Sequence, residues 1–190
     1  MPDVPNHVHL ILVPAHSDGL GLAVGETHRR YTNYVNARGR WTGPLFQSRF
    51  ASVLLDDDPF IRAVRYVSLN PVRARLVSAA RHRPWSSVRA HLSAAGDALV
   101  QVRPVLDRIP HLRQLLDDSA GENFTDLRRA EATGRPLGNA DFIADLERLP
   151  GRPIARRNPD RKSRPQIKER NSGKRTAGFV VNMYRVPRLS

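Results

Sequence analysis

The chain is 190 residues long, carries a formal net charge of +13 and contains no cysteine. The missing thiols exclude disulfides, thiolate zinc sites and cysteine nucleophiles, and they fit a reducing cytoplasm. His7 to Val13 is apolar for too few residues to cross a bilayer, and no basic segment leads into a cleavable apolar run, so a cytoplasmic protein with no membrane partner is expected.

The excess charge favours polyanions, because basic side chains release the counterions condensed on a phosphate backbone. It is unevenly spread. Residues 1–90 hold 12 Lys/Arg against 6 Asp/Glu, residues 91–151 hold 7 against 10, and residues 152–190 hold 12 against 2. Most of the surplus therefore belongs to the C-terminal stretch, which indicates contact with nucleic acid without saying of what kind.

In chain order, His7 to Pro14 has the branched, apolar character of a strand closed by proline. A helix is expected from about Leu20 to Ala37, where Val24, His28, Tyr31 and Val35 recur at helical spacing and Arg38-Gly39 ends the run. Phe46 to Leu55 reads as a second strand. Asp58 and Pro59 suit the N-cap and first position of a second helix, striped by Phe60, Ile61, Val64 and Val67 and ended by Asn70-Pro71. Pro84 to Ser87 predicts a turn into a short helix reaching about His91, with Trp85 as a core anchor. Residues 101–118 and 122–149 predict two or three further helices, interrupted at Thr133 to Pro136. From Gly151 onward Pro, Arg, Lys, Asn and Ser dominate, and that composition predicts disorder.

Two places could carry chemistry. On a strand, His7 and His9 project to one face while Val8 points away, so both imidazoles can address one metal ion, although two histidines on a solvated edge give the same pattern. Tyr66 and Asn70, four apart, share a face of the second helix. A tyrosine can act as a covalent nucleophile, and an amide oxygen suits a hard cation; equally, Tyr66 can be a core residue and Asn70 an ordinary turn residue before Pro71. Tyr31 and Tyr34 lie outside that helix and are weaker nucleophile candidates. Trp41 and Phe46 are candidates for base stacking or for burial.

Taken together, these motifs resemble a family. Pro5-Asn6-His7-Val8-His9-Leu10-Ile11 is similar to the His-hydrophobic-His strand of the HUH single-tyrosine insertion-sequence transposases, and more narrowly to the REP-associated tyrosine transposases of bacteria. The segments Gly43 to Phe50, Arg65 to Val77, Pro84 to Ser87 and Thr133 to Gly138 resemble further motifs of that family in the same order. The resemblance implies an α+β fold with a ferredoxin-like antiparallel sheet carrying helices on one face. Motifs and composition together predict three segments: a shortened transposase domain at 1–90, a helical module at 91–150 and a basic, disordered tail at 151–190. The family's leading strand and helix have no counterpart before His7, so a shortened version of the domain is expected.

For function, the resemblance implies His7, His9 and Asn70 as ligands of Mg²⁺ or Mn²⁺ and Tyr66 as the nucleophile that cleaves and rejoins DNA through a 5′-phosphotyrosine link. Single-stranded or hairpin DNA would be the partner, with a homodimer as one arrangement of the protein. Arg62, Arg65, Arg73 and Arg75 flank the site and are candidate phosphate contacts. A relative that binds structured DNA without cutting it is the alternative.

Overall fold

Strand β1 (Val8–Leu12) and strand β2 (Ala51–Leu55) do not pair with each other; a third strand, β3 (Gly178–Met183), lies between them and pairs antiparallel with both. In this computed structural model the described residues are 7–16, 18–46, 50–118, 123–148 and, as backbone, 178–183. The register is continuous across the sheet: Ile11 and Val53 both face Val180, and His9 and Ala51 both face Asn182. The disorder expected after Gly151 is thus corrected for 178–183, where a Gly-Phe-Val-Val-Asn-Met run has the aromatic and β-branched character that suits a pleated, half-buried surface. The rest of the basic tail lies outside the described residues, as do Pro5, Asn6 and Gln47 to Arg49 of the family-like motifs.

Helix α1 (Gly19–Gly39) agrees with expectation to within two residues but buries only Val24. The second strand is shorter than expected, starting at Ala51. Helix α2 (Asp57–Arg73) begins earlier than predicted: Asp56, not Asp58, is the N-cap, and its carboxylate accepts from the Asp57 amide at 2.9 Å. Asp57 and Asp58 then complement the positive end of the helix dipole. It also ends later, because Pro71 sits within the last turn, where its missing N–H removes a single intrahelical bond and the helix closes through Ala74 N–H to Asn70 O at 2.9 Å.

Beyond α2 come a 3-10 turn at Ala80–His82 and the short helices α3 (Val88–Ser93), α4 (Arg103–Leu106), α5 (Leu112–Asp117), α6 (Thr125–Thr133) and α7 (Ala140–Arg148). That is more and shorter helices than the pattern predicts. The result is α+β, mostly helical, with α2 against all three strands. One buried cluster draws on β2 (Val53, Leu55), α2 (Phe60, Ala63, Val64), the later helices (Val105, Leu112, Leu127, Ala130) and Ile109 between α4 and α5. Leu55 is wholly buried, and burial of such a side chain is worth about 1.5–3 kcal/mol.

The Thr133 to Gly138 motif has a structural task. Gly134, at φ +66°, ends α6 in the left-handed conformation. Leu137 then bridges to β2, donating to Leu54 O at 2.9 Å and accepting from Asp56 N–H at 3.0 Å. A Cβ on Gly138 would fall 2.3 Å from the Phe142 ring and 2.8 Å from the Asp56 side chain, so only glycine fits that close approach. No helix among the described residues is long and apolar enough to cross a membrane.

Candidate functional site

The sheet and α2 bring the two halves of the expected site together. His9 shares a strand face with Ile11, which packs against the core that also takes one side of Tyr66. The His9 and Tyr66 rings meet edge to face, 5.7 Å between centroids and 79° between planes. His7, just ahead of β1, continues the alternation, and its Nε2 lies 3.1 Å from the Nε2 of His9. That is a hydrogen bond between the two imidazoles, and the same spacing suits two nitrogens at adjacent positions around one divalent ion, which at about 2.1 Å each lie about 3.0 Å apart. Among the described residues no group of three His, Cys, Asp or Glu side chains is placed to hold a metal. A third protein donor would have to be of another kind, and Asn70 is half-buried one helical turn beyond Tyr66.

Arg73 closes the other side of Tyr66. Its guanidinium carbon stands 4.3 Å from the Tyr66 ring centroid and 4.6 Å from that of Phe124, while Nη2 donates to Tyr66 O at 2.8 Å. Phe124 in turn meets Tyr66 edge to face at 5.3 Å. Loss of water around the Arg73 guanidinium lowers its pKa, with Tyr66 opposing that shift and Arg128 adding to it. Tyr66 is therefore framed by an imidazole, a phenyl ring and a cation. That frame fixes the ring and sets a positive charge over its face.

The other arginines lie in three different settings. Arg65 is buried, and its Nη2 donates to Asp118 O, so this side chain ties α2 to the end of α5 rather than facing a phosphate. Arg62 lies 4.0 Å from Asp126, a loose surface pair. Arg75 is exposed, in the left-handed conformation just past α2. Trp85 is not a core anchor: it is 88 % exposed. Phe46 stacks on His28 with centroids 3.9 Å apart, and Trp41 and Tyr34 remain exposed on the far end of α1.

Three contributors escaped the sequence reading, all near or on α6. Phe124 precedes the helix, and Arg128 and Glu131 are three apart on it. Burial raises the Glu131 carboxyl pKa above the ordinary value, while His7 and then Arg128 pull it back. Helical spacing marks Arg128 and Glu131 as neighbours, but nothing in the sequence brings α6 to His7. No known family, curated protein or solved structure matches this chain.

Proposed function

We propose that this protein is a metal-dependent, tyrosine-nucleophile DNA strand transferase of the kind its motifs resemble, acting on single-stranded or hairpin DNA. The observation that supports this most is the convergence of a nitrogen pair 3.1 Å apart with a tyrosine ring 5.7 Å away, from opposite ends of residues 7–66. On the same reading, the three strands and α2 would belong to a ferredoxin-like layer.

The residues divide the work by type. Tyr66 Oη attacks a backbone phosphorus; its proton leaves to solvent, the P–O3′ bond breaks, and the 3′ oxygen takes up a proton as a free hydroxyl. The 5′ phosphate stays on the tyrosine until a 3′ hydroxyl reverses the step, so the exchange conserves bond energy. Arg73 offsets charge on the phosphate and fixes the ring by its contact with both aromatic faces. His7 and His9, with Asn70, would hold Mg²⁺ or Mn²⁺, which when bound supplies Lewis-acid polarisation of the phosphate.

The test is covalent trapping. Protein mixed with end-labelled hairpin DNA and Mn²⁺ should give a slow band on a denaturing gel, lost with Tyr66→Phe and with a chelator. A folded protein that retards the same DNA on native gels yet never forms the band, over several hairpins, would replace strand transfer by binding without cutting.

A further inference from the structure

We propose a second nucleic-acid contact, separate from Tyr66: a basic groove between the 3-10 turn at Ala80–His82, α3 and α5 that holds the backbone of single-stranded DNA, with Trp85 as a stacking platform beside it. Three elements build the groove by one device. Each buries an apolar residue and places an arginine next to it: Ala80 then Arg81, Val88 then Arg89, Leu112 then Arg113. The buried member pins the backbone, and the arginine that follows lines an open cleft of about 530 Å³ together with His82, Leu92 and Ser93.

The charge is unbalanced. Arg81, Arg89 and Arg113 are exposed, and none of them forms an ion pair among the described residues. His82 shares a hydrogen bond with Ser78 Oγ at 3.2 Å. Asp117 lines a smaller inner recess of about 220 Å³ that shares Arg81, Leu92 and Arg113 with the groove. Three cations around one cleft repel one another, and a polyanion removes that cost.

Trp85 gives the groove its preference for single strands. It lies in the turn joining two of the groove's walls, three residues after His82 and four before Arg89, and 88 % of it is exposed. An exposed indole in the turn between two basic walls is the kind of group on which single-strand grooves stack bases, since every unpaired base offers a face and a duplex does not. The inner recess also touches Leu69 and Val72 of α2, on the stripe beside Tyr66 and Arg73. A strand lying here therefore occupies a face adjoining the proposed cutting site.

This inference takes from the proposed function only the choice of DNA as polymer. It is tested on full-length Tyr66→Phe protein without metal, so no cleavage is involved. Titration with an oligo-dT should quench tryptophan fluorescence and show a log–log salt slope that includes about −2 from three contacts. Arg81→Ala with Arg113→Ala should flatten that slope by about 1.4 units and weaken binding about tenfold. Trp85→Ala should weaken it by a similar factor, while Trp85→Phe keeps the affinity and loses the quench. Unchanged binding in the arginine and Trp85→Ala variants overturns the inference, as does tighter binding of duplex or equal competition by polyglutamate. If the Tyr66 adduct forms normally while groove variants bind normally, the groove fails and strand transfer stands. If the groove variants lose binding and no adduct is ever seen, the reverse holds.

Discussion

Tyr66 and the histidine pair face each other, yet they rest on supports of different kinds. Tyr66 rides on a 17-residue helix that buries six of its residues, is capped by Asp56 and is tied by Arg65 to Asp118. His9 rides on a five-residue edge strand with no fully buried residue, and that strand's sheet partner is β3, whose Cα partner of His9 is Asn182. Helix α2 packs on all three strands, on the 3-10 turn that follows it and on α5, so its support comes from many sides. Strand β1 depends on pairing across most of the chain's length, which costs loop-closure entropy before it returns any contact. Tyr66 is thus set by a well-buried helix, and the histidine pair by an edge strand whose partner lies far along the chain.

The largest break of that comparison is at the centre of β3. Proline at position 180 removes a ladder donor between Ile11 and Val53 and fixes a backbone angle in a central strand. Val180→Pro should cost on the order of 3 kcal/mol. It should also abolish Mn²⁺-induced thermal stabilisation while leaving most helical circular dichroism in place. Equal urea midpoints and equal Mn²⁺ response in the two proteins would mean that β1 holds its place without β3.

The same contrast explains what could be read from the sequence. Helix α2 was legible because its stripe, its acids and its motif all lie within 17 residues. The apposition of His9 with Tyr66 was implied by the family-like order of motifs. Strand β3 was hidden because a six-residue strand sits in a segment holding 12 basic residues, and composition over such a window outvotes a short run. Trp85 was misplaced for a related reason: an indole usually finds a core, but whether a neighbour arrives to cover it is settled by tertiary packing. Glu131 carries no local signal, since its role comes from where α6 lies relative to His7.

A milder change sharpens the helix side. Asp56 caps α2 and also accepts from the Asn139 amide at 3.4 Å, joining the helix start to the segment before α7. Asp56→Ala should cost about 1 kcal/mol of global stability, and Asp56→Asn less than half of that. Because Tyr66 lies well beyond the first turn, covalent trapping at Tyr66 should change less than twofold in either variant. A collapse of trapping with a stability change this small would show that the helix start controls the position of the nucleophile more tightly than the buried stripe does.

The smallest expected effect separates the metal-free and metal-loaded forms of the strand side. The Glu131 carboxyl is shifted upward by burial, so between its unfolded value near 4.5 and its raised folded value the native protein binds more protons than the unfolded chain. Stability associated with this group is therefore present below pH 4.5 and lost as the pH rises through the folded value. Glu131→Gln removes the titration, so urea unfolding without metal should favour the variant more at pH 7 than at pH 4. The gain should be below about 1 kcal/mol, because His7 and Arg128 already offset part of the burial cost. A divalent ion beside His7 reverses the preference, since it favours the ionised carboxylate. With saturating Mn²⁺ at pH 7 the advantage of the variant should shrink or change sign, whereas an advantage that ignores Mn²⁺ would place the ion away from His7.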